Sequence, residues 1–109
     1  RRVEVIVGLI NDATFGLGGI YTEVYKDVTF RIVPIKREDA EEMLREIKAA
    51  PILEGFRKIK VDREAIVNLL MKVSALGERY MDKIAEMDLN PVFVKEKGLV
   101  VVDAKLLLR

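Results

Sequence analysis

Apolar residues crowd the start of the chain: Val3, Val5, Ile6, Val7 and Leu9, with only Glu4 and Gly8 between them. So dense a run of β-branched residues predicts a buried strand over Arg2–Leu9. Asn11–Gly19 interrupts the pattern with three glycines near its end and reads as a loop. Ile20–Tyr25 then reads as a second strand, Lys26-Asp27 as a turn and Val28–Ile35 as a third strand. The alternation in that strand sets Thr29, Arg31 and Val33 on one face.

The period then lengthens. Ala40, Met43, Leu44 and Ile47 follow helical spacing, and Glu38, Asp39, Glu41 and Glu42 place negative charge in the first turns. This predicts a helix over Arg37–Ala49, ended by Ala50-Pro51 and followed by a connection from Pro51 to Lys60. Asp62 is a good N-cap for a second helix reaching about Tyr80, with Ile66, Leu69, Leu70, Val73, Leu76 and Tyr80 as its apolar stripe. Two β-rich runs close the chain, Glu86–Val94 and Leu99–Lys105, flanking the turn Lys95-Glu96-Lys97-Gly98. Strands and helices fall in separate runs, which predicts one α+β domain over residues 1–109: a mostly antiparallel sheet backed by two helices.

A symmetric fold of the last hairpin pairs Val94 with Leu99 and, four positions further along each strand, Asn90 with Asp103. Directly opposed side chains have Cβ atoms roughly 4.5–5.5 Å apart. That is close enough for an amide oxygen and a carboxylate to hold one hard cation. Magnesium takes few protein oxygens and completes its shell with phosphates and water. The same register pairs Asp88 with Lys105, and it predicts a covered apolar face of Leu89, Pro91, Phe93, Val100, Val102 and Ala104. Asn90 and Asp103 are equally consistent with ordinary polar positions on a solvated sheet face.

Composition narrows the chemistry. Half of the 109 residues are hydrophobic, a third are charged and the net charge is +1. No basic block suggests nucleic acid or an anionic membrane, and no apolar run is long enough to span a bilayer. The absence of Cys excludes disulfides and thiol nucleophiles; the absence of His excludes histidine bases and ligands. A cysteine-free chain rich in Lys and Glu suits the cytoplasm. The first residues, Arg1-Arg2, lack a Met and lead straight into a strand, so the chain is expected to be a piece of a longer protein. The run Phe15-Gly16-Leu17-Gly18-Gly19 offers backbone close approach to a phosphate. It lacks the Gly-Lys-Ser/Thr of a P-loop and reads equally as a glycine-rich turn. Arg31 and Lys26 near it, and Glu4 and Glu23 in apolar strands, are candidate polar contacts or ordinary ion-pair partners.

Gly16–Ile35, Arg37-Glu38-Asp39-Ala40, Glu86–Pro91 and Val101-Val102-Asp103-Ala104 together closely resemble the ATP-grasp module of ADP-forming acetyl-CoA synthetases (acetate–CoA ligases, ADP-forming), most of all the separate β subunit. The likeness runs over essentially the whole chain in order. It implies the C-terminal subdomain of an ATP-grasp fold, part of an acid–CoA ligase that binds ATP or ADP with Mg. Asn90 and Asp103 would then be the Mg ligands, Gly18 and Gly19 would lie by the phosphates, Glu4 would contact the nucleotide and Arg31 would touch phosphate. No catalytic residue falls in this chain. The reacting histidine and the CoA site would come from an α subunit, and the rest of the nucleotide site from the missing ATP-grasp half. Related readings are a succinyl-CoA synthetase β-like ligase or the module of a fused acyltransferase. A non-catalytic α+β interaction domain is the reading from a different class. The chain departs from the family pattern by a shorter stretch between Thr14-Phe15 and Leu17, and by Lys36 where a capping Thr is usual.

Overall fold

A computed structural model describes residues 3–10, 14–19, 27–48, 50–53 and 60–109. Its elements are β1 (Val3–Ile10), β2 (Thr14–Gly19), β3 (Val28–Ile32), α1 (Arg37–Glu46), α2 (Ala50–Leu53), α3 (Arg63–Arg79), β4 (Ile84–Val94), β5 (Leu99–Val101) and β6 (Ala104–Leu108). All strand pairs are antiparallel, in the order β3-β2-β1-β4-β5, with β6 also on β4. The expected α+β sheet backed by helices is therefore the observed architecture.

The sheet is covered on one face. Val3, Val5, Val7 and Leu9 of β1 point into the core against Ala40, Met43 and Leu44 of α1 and Ile66, Val67, Leu70 and Val73 of α3. The stripe expected on α1 is buried as read. That on α3 is rotated: Val67, Ser74 and Gly77 are buried, whereas Leu76 and Tyr80 are 40% and 37% exposed. The reason is close packing on β1. A Cβ at Gly77 would lie 2.9 Å from Leu9 Cδ2, so the helix approaches the strand through its smallest residue. Ser74 follows the same face because its hydroxyl accepts the Ile35 amide at 2.9 Å, which satisfies a buried polar group.

Several boundaries differ from the sequence reading, among them that of the last run, which splits into β5 and β6 instead of continuing from Leu99 to Lys105. The glycine run is not a loop: Thr14–Gly19 is a strand between β1 and β3. A short helix, α2, occupies part of the expected connection and buries Leu53. The third strand stops at Ile32, before Pro34, which has no amide hydrogen for a ladder. The expected strand at Ile20–Tyr25 lies outside the described residues, as does Lys26 of the expected turn.

Local chemistry fixes the ends of both long helices. Lys36, the residue before α1, has no acceptor to offer, and Asp39 reaches back to its amide at 2.8 Å. Asp27, buried at the start of β3, accepts the amide of Lys48 just past the end of α1. Asp62 caps α3 by accepting the Ala65 amide at 3.0 Å, and its other oxygen accepts the Gly98 amide at 2.7 Å. These two bonds, from Gly98 first and Ala65 second, hold the Asp62 carboxyl below the usual carboxylate range.

The terminal hairpin has the predicted register. Val94 pairs with Leu99, Val92 with Val101, Leu89 with Ala104 and Asp88 with Lys105. Its faces are not as predicted. Against β1, Val5 lies opposite Val92 but Val7 lies opposite Leu89, so β4 carries one extra residue in between, at Asn90-Pro91. The bulge inverts parity. Leu89 faces the core below it, whereas Val92 and Val94, not Phe93, face the core above it. Leu99 and Val101 pack with the core, and Val100 and Val102 are exposed.

Candidate functional site

Most of the sequence candidates gather on the face of the sheet that none of the described helices covers. Alternation sets Glu4, Ile6, Gly8 and Ile10 of β1 there, opposite the buried set. Register then assigns their neighbours. Glu4 lies opposite Phe93, Gly8 opposite Asp88 and Gly16, and Ile6 opposite Gly18; Gly16 and Gly18 lie opposite Phe30 and Val28. Three glycines side by side on adjacent strands leave an open apolar trough of about 240 Å³, rimmed by Ile6, Ile10, Val28 and Phe30. Gly16 lies close under the Phe30 ring: a Cβ there would meet it at 3.0 Å and push the exposed ring aside. This trough was not foreseen, although Gly16 and Gly18 two apart within a strand put both glycines on one face.

Gly18 and Gly19 thus contribute differently from a phosphate loop. Gly18 is paired with Ile6 on one side and Val28 on the other, and Gly19 with Val5, so their backbone groups belong to the sheet ladder. Gly18 leaves the open face without a side chain, whereas Gly19, opposite the buried Val5, belongs to the other face, and neither presents a nest of free amides.

Asn90 and Asp103 come together as the register requires. The Asn90 amide donates to the Asp103 carbonyl at 3.0 Å, and the Val102 amide to the Pro91 carbonyl at 3.0 Å. Both side chains are exposed. Asp88 shares the open face with Gly8, and Asn90 follows two residues later, beside the trough. One Asp103 oxygen, Oδ1, accepts the Ala104 amide at 2.9 Å, leaving Oδ2 for another partner. Among the described residues no three His, Cys, Asp or Glu cluster to enclose a metal. The available donors are one amide oxygen and one carboxylate, a set that suits a hard ion sharing its shell with phosphate oxygens and water.

Arg31 is placed elsewhere. It alternates with Phe30 and so lies on the helix side of the sheet. Its Nη1 donates to Glu46 Oε1 at 2.9 Å and to Thr29 Oγ1 at 3.1 Å, while Nη2 bonds the other Glu46 oxygen. Thr29 also donates to Glu46, and Glu42 lies 3.6 Å away. Hydrogen bonding to Glu46 raises the Arg31 pKa, and the bonds from Arg31 and then Thr29 lower that of Glu46. The group joins β3 to α1. Replacing Arg31 by Met is expected to cost about 1 kcal/mol or less, because Glu46 is half exposed. It should leave the apparent affinity for ADP within about twofold in steady-state kinetics, a change of less than ~0.5 kcal/mol.

The described residues thus form an antiparallel sheet with helices on one face and, on the other, a glycine trough and an Asn–Asp pair. Residues 1–108 match the ATP-grasp domain family, and the chain belongs to it. It is 54% identical to the Pyrococcus furiosus acetate–CoA ligase [ADP-forming] II subunit beta, over 97% of this chain and 49% of that protein. It is 51% identical to Archaeoglobus fulgidus acetate–CoA ligase [ADP-forming] II, over 97% of this chain and 16% of that protein. Among solved structures, Ca. Korarchaeum cryptofilum acetyl-coenzyme A synthetase 1, in complex with coenzyme A and Mg-AMPPCP, superposes with a TM-score of 0.90. Identity there is 43%, over 100% of this chain and 54% of the other. The chain therefore spans about half the length of a β subunit it matches. The Pyrococcus match runs over 115 residues against a chain of 109, so that relative carries residues this chain lacks. No helix among the described residues is long and apolar enough to cross a membrane.

Proposed function

We propose that this chain is the C-terminal half of the nucleotide- and Mg-binding module of an ADP-forming acetate–CoA ligase acting in the cytoplasm. The reaction is acyl-CoA + ADP + phosphate ⇌ carboxylic acid + CoA + ATP. The observation that carries the reading is the register of the last hairpin, which sets Asn90 opposite Asp103 on the side of the sheet that none of the described helices covers. The nucleotide lies across this open face. Glu4, half-buried beside Phe93, accepts the ribose hydroxyls. Gly18, opposite Ile6 on the open face, keeps a side chain out of the path of the phosphates, and Gly19, next to it in the strand, continues the backbone there. Asn90 Oδ1 and Asp103 Oδ2 hold the Mg that neutralises phosphate charge when it is bound. The chain has no histidine, so the phosphorylated histidine and the CoA site come from an α subunit or a fused equivalent. The other ATP-grasp half closes the nucleotide from the opposite side.

The test is ATP formation by the full-length subunit with its partner, from acetyl-CoA, ADP, phosphate and Mg. Mg-dependent ATP formation with release of acetate supports the reading. A folded, assembled complex that forms no ATP from any acyl-CoA and either ADP or GDP returns the chain to a binding role.

A further inference from the structure

The N-cap of α3 does more than a cap requires. Capping needs one acceptor oxygen, and Ser, Thr or Asn supplies it as well as Asp. Asp62 uses Oδ1 for that purpose, toward Ala65, and presents Oδ2 to the Gly98 amide in the β4–β5 turn. Its own amide donates to the Lys95 carbonyl of the same turn at 2.8 Å. Only a carboxylate has the second acceptor: serine has one oxygen, and the second position in asparagine is a donor. The turn is closed by the Lys95 amide on the Gly98 carbonyl at 3.0 Å, with Gly98 at a φ of +80°.

Gly98 is where β5 begins. β5 has three residues and lies at the end of the strand order, held along its length by β4. Asn90 sits within an eleven-residue strand that β1 clamps on its other side. Asp103 sits in the short break between β5 and β6, and is exposed. Asp103 is held on its C-terminal side by β6, paired with β4 from Ala104 onward, and on its N-terminal side by β5, whose start is tied to α3 through Asp62.

We infer that Asp62 is a positioning residue for Asp103: by fixing Gly98 it sets β5 on β4, and so sets the carboxylate that Asn90 faces. The inference rests on the Mg-nucleotide reading given above. Asp62 touches neither nucleotide nor cation, and its effect passes through Gly98 and β5.

The experiment titrates Mg in ATP formation by the full-length subunit with its partner, for the parent, Asp62→Ser, Asp62→Asn and Asp103→Ala. It also follows amide hydrogen exchange over residues 98–104 in the same proteins without Mg. Both Asp62 variants are expected to exchange faster there, and parent-like exchange overturns the inference. Asp62→Ser and Asp62→Asn keep an acceptor for Ala65 and lose the one for Gly98. Both are expected to raise the Mg concentration for half-maximal rate by about tenfold, in the range seen when the support of a metal ligand is removed. The rate at saturating Mg should stay within about twofold of the parent. Wild-type Mg dependence in both variants, or a lower saturating rate with no shift in Mg requirement, overturns the inference and leaves Asp62 as a helix cap. Asp103→Ala separates the two levels. If it shifts the Mg requirement and the Asp62 variants do not, only the tether fails. If it titrates like the parent, the cation assignment fails and the tether with it.

Discussion

Asp103→Ala is expected to lower the rate of ATP formation by about a hundredfold or more at millimolar Mg, close to 3 kcal/mol of barrier. The argument is one of charge. Asp103 carries the sole formal charge in the Asn90–Asp103 pair, and the ADP and phosphate proposed to meet here are themselves anions. Removing the carboxylate leaves Asn90 to hold the ion with a neutral oxygen. Asn90→Ala should therefore lose less, and excess Mg should recover more of its rate. Neither variant should unfold, because both side chains are exposed and the backbone bonds between positions 90 and 103 need no side chain. The measurement is initial rate against Mg concentration, with circular dichroism as a folding control. Full activity in both variants would keep the family and remove the hairpin from the cation site.

The largest expected loss of stability is at Leu70. Its side chain is fully buried between α3 and the sheet, so Leu70→Ala should cost about 3 kcal/mol, within the 2–5 range for cavity-forming changes. Leu76→Ala, six residues along the same helix, should cost less than about 1 kcal/mol because Leu76 is 40% exposed. Urea unfolding of the intact subunit gives both numbers. Equal losses would mean that α3 is seated as its sequence periodicity suggested rather than as the structure shows.

That contrast marks the limit of what was legible. Helical spacing placed α3 within a residue at each end, because Asp62 and Tyr80 are true caps. It could not choose among neighbouring leucines, since Leu69, Leu70 and Leu76 look alike in a sequence and only the close approach of Gly77 to Leu9 decides which face turns inward. The hairpin register was legible because a tight turn and antiparallel pairing leave no freedom once the turn is found. The bulge was not, because one extra residue matters only against β1, a strand distant in sequence. The glycine run was misread for a related reason. Glycine normally signals a turn, and its role as an unobstructed stretch of sheet appears only when Gly8 and Phe30 are set beside it. Arg31 looks like a phosphate contact in the sequence, and the ion pair in which Glu46 takes both of its terminal nitrogens is visible only in the fold.

The extra residue at Asn90-Pro91 makes β4 a phase shifter. A strand of strict two-residue period would serve one layer along its whole length. Shifted midway, β4 keeps Leu89 in the core, turns Phe93 out beside Glu4, and still returns Val92 and Val94 to the core. Deleting one residue there would exchange the inward and outward sets on the distal side of the bulge alone, leaving the proximal side in frame. Length at this point is therefore more tightly constrained than residue identity, and variation among related chains should favour substitutions over indels between Leu89 and Val92.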